Sequence, residues 1–175
     1  QEAKEAVPAL EMLLRDEEAP VRMAAVQALG KMGPSAIPAL GRAATKGIVS
    51  DVQDAAIDAL ASAGKPALSP LIEVLKEQGN ESQMRRKALA AIQAIGPADA
   101  ASAVPVLADV VKNPKTRGDA RLLRQDAVAA LGALAKPTDT AALTVLNDII
   151  NDEKNRDMGL KNQCRQAVKR IMSRK

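Results

Sequence analysis

Val7-Pro8-Ala9-Leu10 returns along the chain as Ile37-Pro38-Ala39-Leu40, Leu68-Ser69-Pro70-Leu71, Val104-Pro105-Val106-Leu107 and Leu143-Thr144-Val145-Leu146. A second segment, Val21 to Leu29, returns as Val52 to Leu60, Met84 to Ile92, Leu123 to Leu131 and, more loosely, Gln163 to Ile171. Counting from position 7 to 37, 68, 104 and 143, successive copies lie 30, 31, 36 and 39 residues apart. Self-similarity at such periods is the signature of stacked repeats, in which each copy buries its apolar face only against the next.

The apolar spacing says what each copy is made of. Val21, Ala25, Ala28 and Leu29 recur at i, i+4, i+7 and i+8, the stripe of a helix with one buried side. Val7, Leu10, Leu13 and Leu14 form the matching stripe of the first helix. Gly33-Pro34 and Gly96-Pro97, with Lys65-Pro66 and Lys136-Pro137, punctuate the joints, since glycine accepts the left-handed cap and proline suits an opening turn. The reading is all-α: five helix-turn-helix repeats, about ten helices, in a single domain over 1–175. Repeat boundaries fall at about 1–33, 34–64, 65–96, 97–136 and 137–175. From the end of each first segment to the start of its partner the gaps are 11, 12, 13, 16 and 17 residues, a loop edge that lengthens along the chain.

Composition narrows the chemistry. Hydrophobic residues make up 47% of the chain, enough for a core, yet Phe, Trp, Tyr and His are all absent. Without aromatics the usual anchors of small-molecule pockets and interface hot spots are missing. Ala-rich second helices instead suit close stacking of thin helices. Net charge is +4, distributed as six Lys/Arg against nine Asp/Glu in residues 1–60 and nineteen against twelve in 61–175. Residues 161–175 hold six basic groups and no acidic one. One cysteine, Cys164, cannot pair internally; it aligns with Arg22, Gln53, Arg85 and Arg124, where partial exposure is expected. A lone reduced thiol fits a cytoplasmic location. No apolar run approaches membrane-spanning length, and the start at Gln1, directly before a repeat, reads as a fragment of a larger protein.

With these residues in view, the chain resembles HEAT repeats, in particular the short bacterial type named after the phycobilisome lyases. The resemblance is carried by Ala6-Val7-Pro8-Ala9-Leu10, Leu13-Leu14-Arg15-Asp16, Pro20-Val21-Arg22, Ala24-Ala25, Ala28-Leu29-Gly30 and Gly33-Pro34. It implies a right-handed α-solenoid whose second helices line the concave side. Family units often set an acidic residue before the turn and an Arg after it: Asp16 with Arg22 fits, Glu77 with Arg85 fits loosely, and Gln53 departs. In the fifth copy Gln163, Gln166 and Arg170 replace apolar or small residues, the polar outer face a terminal cap needs.

Such repeats also occur in enzymes, and the residues argue against each kind. Metal-dependent hydroxylases of this architecture would need His-Glu pairs, and there is no histidine. DNA glycosylases would need aromatics. A bilin lyase-like enzyme could pair propionates with Arg and form an adduct at Cys164, but nothing would stack on the pigment. Ser and Cys have no histidine base beside them. Paired carboxylates such as Asp54 and Asp58 are one helical turn apart and read as a solvated face. No catalytic, cofactor-binding or metal-binding residue is therefore assigned, and no cofactor is expected. The leading expectation is a non-enzymatic scaffold that binds a protein or peptide and is itself monomeric. The recognition strip is read from two columns: Met23, Asp54, Arg86, Gln125, Arg165, and Gln27, Asp58, Ala90, Ala129, Lys169. Arg86 and Arg165 are its expected anchors, because Arg is the only hot-spot type present. The alternative is an anion or nucleic-acid backbone binder. Its contacts would be Arg85-Arg86-Lys87, the Lys115/Arg117/Arg121/Arg124 segment and the stripe Lys161, Arg165, Lys169.

Overall fold

A computed structural model describes residues 2–45, 49–77, 82–112 and 119–174. All regular structure among them is helical: α1 Glu2–Leu13, α2 Ala19–Lys31, α3 Ile37–Ala43, α4 Ser50–Ala63, α5 Leu68–Lys76, α6 Ser82–Ile95, α7 Val104–Lys112, α8 Asp119–Leu134, α9 Thr140–Asn151 and α10 Met158–Met172. Odd-numbered helices are the first, and even-numbered helices the second, of each expected repeat.

The joints form for the reason the sequence suggests. Gly33, Gly64 and Gly96 all adopt positive φ (65°, 66° and 86°), a conformation that side-chain-bearing residues rarely take. Short 3-10 turns over Gly33–Ala36, Lys65–Ala67 and Ala101–Ala103 then lead into α3, α5 and α7. Each of those helices carries a proline in its first turn, where a missing N–H costs least. The fifth repeat has Thr144 in place of that proline. Its first helix opens at Thr140 and takes in Ala142, whose counterparts Ala36, Ala67 and Ala103 end the 3-10 turns; α1, which keeps its proline as Pro8, likewise takes in Ala6.

Contacts gather the chain into two compact units, Gln1–Ala94 and Ile95–Lys175. In the first, α2 packs on α1, α3 and α4, and α3 packs on α4 and α5. In the second, α7 packs on α8 and α9, and α10 packs on both α8 and α9. The cores are aliphatic throughout. Leu40, Ile57, Leu60, Leu71 and Leu75 are fully enclosed in one unit, and Leu107, Leu131 and Leu134 in the other. Each such side chain contributes about 1.5–3 kcal/mol on burial.

The first repeat buries less than its spacing promises. Of Val7, Leu10, Leu13 and Leu14 only Leu14 is buried, and Leu13 stays 41% exposed. In the second helix Ala25, Val26 and Leu29 are buried, whereas Val21 and Ala28 are half-buried. The cause is positional: a stripe finds full cover only between two neighbouring repeats, and the described residues place one, that of α3 and α4, beside the first.

Candidate interaction surface

One hydrogen bond recurs in every repeat and fixes which residues are equivalent. A long polar side chain near the start of the second helix reaches back to a backbone carbonyl in the last turn of the first helix or in the connection just beyond it. Arg22 NH1 donates to the Asp16 and Glu17 carbonyls (2.9 and 3.0 Å), and Gln53 Nε2 to Thr45 (2.6 Å). Arg85 Nε donates to Leu75 (2.9 Å), Arg124 Nε to Val111 (2.7 Å) and Lys161 Nζ to Asp152 (2.7 Å). The Leu75 and Val111 carbonyls lie in the last turn of α5 and α7, at the negative end of the helix, where a cationic donor is favoured. Desolvation at this post pushes the Arg85 guanidinium below its usual range. Arg22 also forms an ion pair with Asp51 across to α4 (2.7 Å), which holds the Asp51 carboxyl below its ordinary value. The acidic partner that the sequence assigned to Arg22 serves differently: Asp16 offers its carbonyl to Arg22, and its carboxylate accepts the Glu18 N–H.

The ladder corrects the alignment of the fifth repeat. Lys161, and not Cys164, occupies the post of Arg22, Gln53, Arg85 and Arg124, so this copy shifts by three residues. Leu160 then matches Val21, and the gap from Leu146 to it is 14 residues, so the loop edge is longest in the fourth repeat. Cys164 falls in register with Ala25, Ala56, Ala88 and Ala127, and like them it is buried. Expected exposure at Cys164 is thus overturned. Burial pushes its thiol up to about 11, which keeps it neutral and unreactive near pH 7. Degraded periodicity in α10, where polar residues replace apolar ones, concealed the register; the long donor at a helix start was the available clue.

The same shift re-sorts the strip. Arg165 moves to the position of Val26, Ile57, Leu89 and Val128, all buried in their repeats, yet in α10 it is exposed and donates to Asn162 Oδ1 (2.8 Å). The counterparts of Gln125 and Ala129 in α10 are Asn162 and Gln166, both exposed; Lys169, also exposed, lies in register with Gly132.

In residues 1–94, Gln27, Asp58 and Ala90 share one repeat position on α2, α4 and α6, and all three are exposed. Met23, Asp54 and Arg86 share the other and are half-buried. The two aspartates converge on one cation. Lys87 Nζ lies 2.7 Å from Asp54 Oδ1 and 3.1 Å from Asp58 Oδ2, and these partners, Asp54 first, hold its ammonium above the usual lysine value. Arg86 also has an interaction of its own within the chain.

Several groups expected to face an anion are engaged inside the protein. Lys161 is buried on its carbonyl, and Arg121 pairs with Asp157 (3.1 Å). Arg174 spans three carbonyls at the end of α8, donating to Ala135 and Ala133 (both 2.6 Å) and Gly132 (3.0 Å). Lys115 and Arg117 lie outside the described residues. Among the described residues no cluster of His, Cys, Asp and Glu could hold a metal ion, and no helix is long and apolar enough to cross a membrane. A shallow groove of about 500 Å³ runs on the first-helix side between Pro38, Arg42, Pro66 and Pro70, with Arg42 tied to Glu11 (2.9 Å).

Residues 1–61 match the family of HEAT repeats. Among solved structures, an engineered protein is 23% identical, with 97% of this chain and 80% of that one covered at a TM-score of 0.55. A HEAT-like repeats protein from the archaeon Thermococcus onnurineus NA1 is 14% identical, with coverage of 97% and 72% and a TM-score of 0.53. A designed armadillo repeat protein is 17% identical, with coverage of 97% and 85% and a TM-score of 0.52. No curated protein matches the chain. The recurring helix pair and the shared architecture give the chain the all-helical fold of HEAT-like and armadillo repeat structures, and its residues 1–61 match HEAT repeats.

Proposed function

We propose that the chain is a non-enzymatic scaffold that grips a protein or peptide along the exposed side of its second helices. Repeat folds of this class generally serve protein interaction. The observation that carries the reading is the shared exposure of Gln27, Asp58 and Ala90 at one repeat position in residues 1–94. Met23, Asp54 and Arg86 flank them, while Gln125, Ala129, Asn162 and Gln166 supply the same two positions in residues 95–175. Arg165 and Lys169 belong to the proposal as cations beside those columns. Short side chains let a partner's backbone approach closely, and the paired charges around Lys87 give orientation more than affinity.

The test is affinity capture followed by measurement with the identified partner. Gln27→Arg combined with Ala90→Arg places two bulky cations on exposed positions and should abolish binding. Ser69→Arg, on the first-helix side, should leave it intact. Binding that survives the double variant and is lost with Ser69→Arg refutes the second-helix reading. Retention on heparin that falls steeply with salt and needs Arg165 and Lys169 would replace it with anion binding.

A further inference from the structure

We draw no further inference here: the strongest candidate, the proline-lined groove between α3 and α5 on the first-helix side, has both of its charged lining residues already paired, Arg42 with Glu11 and Glu73 with Lys76, and nothing in the structure shows what covers it.

Discussion

The first and fifth repeats are copies of one helix pair that finish in opposite ways. The first leaves interior-type residues bare: Ala6 and Leu13 stand exposed where the equivalent positions of all later repeats are buried. The fifth turns its charges to structural use. Lys161 and Arg174 donate to backbone carbonyls, and Arg165 occupies an otherwise apolar position. The difference teaches that a repeat's stripe states where it can stack, and that neighbours decide how much of that potential becomes burial.

The largest effect should come from emptying one consensus position in two contexts. Leu107 is fully buried and Leu10, its counterpart, only half-buried. Leu107→Ala should cost about 2–5 kcal/mol, whereas Leu10→Ala should cost under about 2 kcal/mol. Chemical denaturation reads both, and equal costs would break the contrast. Removing the clasp at the other end comes next. Arg174→Ala strips the last carbonyls of α8 of a charged donor and should cost about 1.5–3 kcal/mol, while Lys169→Ala, on an exposed side chain, should stay within about 0.5 kcal/mol.

A pair of equivalent glycines sharpens the comparison further. A Cβ at Gly132 would lie 3.0 Å from both Cα and Cβ of Ala167, so Gly132→Ala must separate α8 from α10, at about 1–3 kcal/mol. At Gly30 the nearest atom is Ala59 Cβ at 3.5 Å, ordinary contact, so Gly30→Ala should be neutral or stabilise α2 by up to about 1 kcal/mol. Melting temperatures of the two variants should move in opposite directions, or only the first should move.

The smallest effect concerns pH. The Arg22 hydrogen bond holds the Asp51 carboxyl below its ordinary 3.8, so the folded state binds that proton less readily than the unfolded chain. The stabilisation is therefore complete above that ordinary value and is lost as pH falls through the lowered one. Asp51 is only partly enclosed, which keeps the effect small. Denaturation midpoints of the parent chain and Asp51→Asn should converge as pH drops from about 7 to about 3. Arg124 grips a carbonyl instead, so an Arg124→Gln comparison should show no such convergence.

Helix content, the joints at Gly33, Gly64 and Gly96, and the first four repeats were legible because packing and capping leave a regular print on residue type. The fifth repeat was misplaced by three residues, because exposure at a chain's last helix relaxes the apolar period that defines register. Exposure of the candidate columns was half legible. Gln27 and Asp58 stand exposed on the second helices as expected, while Lys161 among the proposed anion contacts is buried on Asp152. A basic residue looks alike in sequence whether it meets solvent or caps a carbonyl. Only the helix end lying within its reach separates the two.

Amide hydrogen exchange of the chain, free and bound to its captured partner, tests the central claim most directly. Second-helix recognition predicts slowed exchange across α2, α4 and α6, centred on Gln27, Asp58 and Ala90, with α3 and α5 unchanged. Slowed exchange confined to α3 and α5, around Pro38 and Pro70, would contradict it.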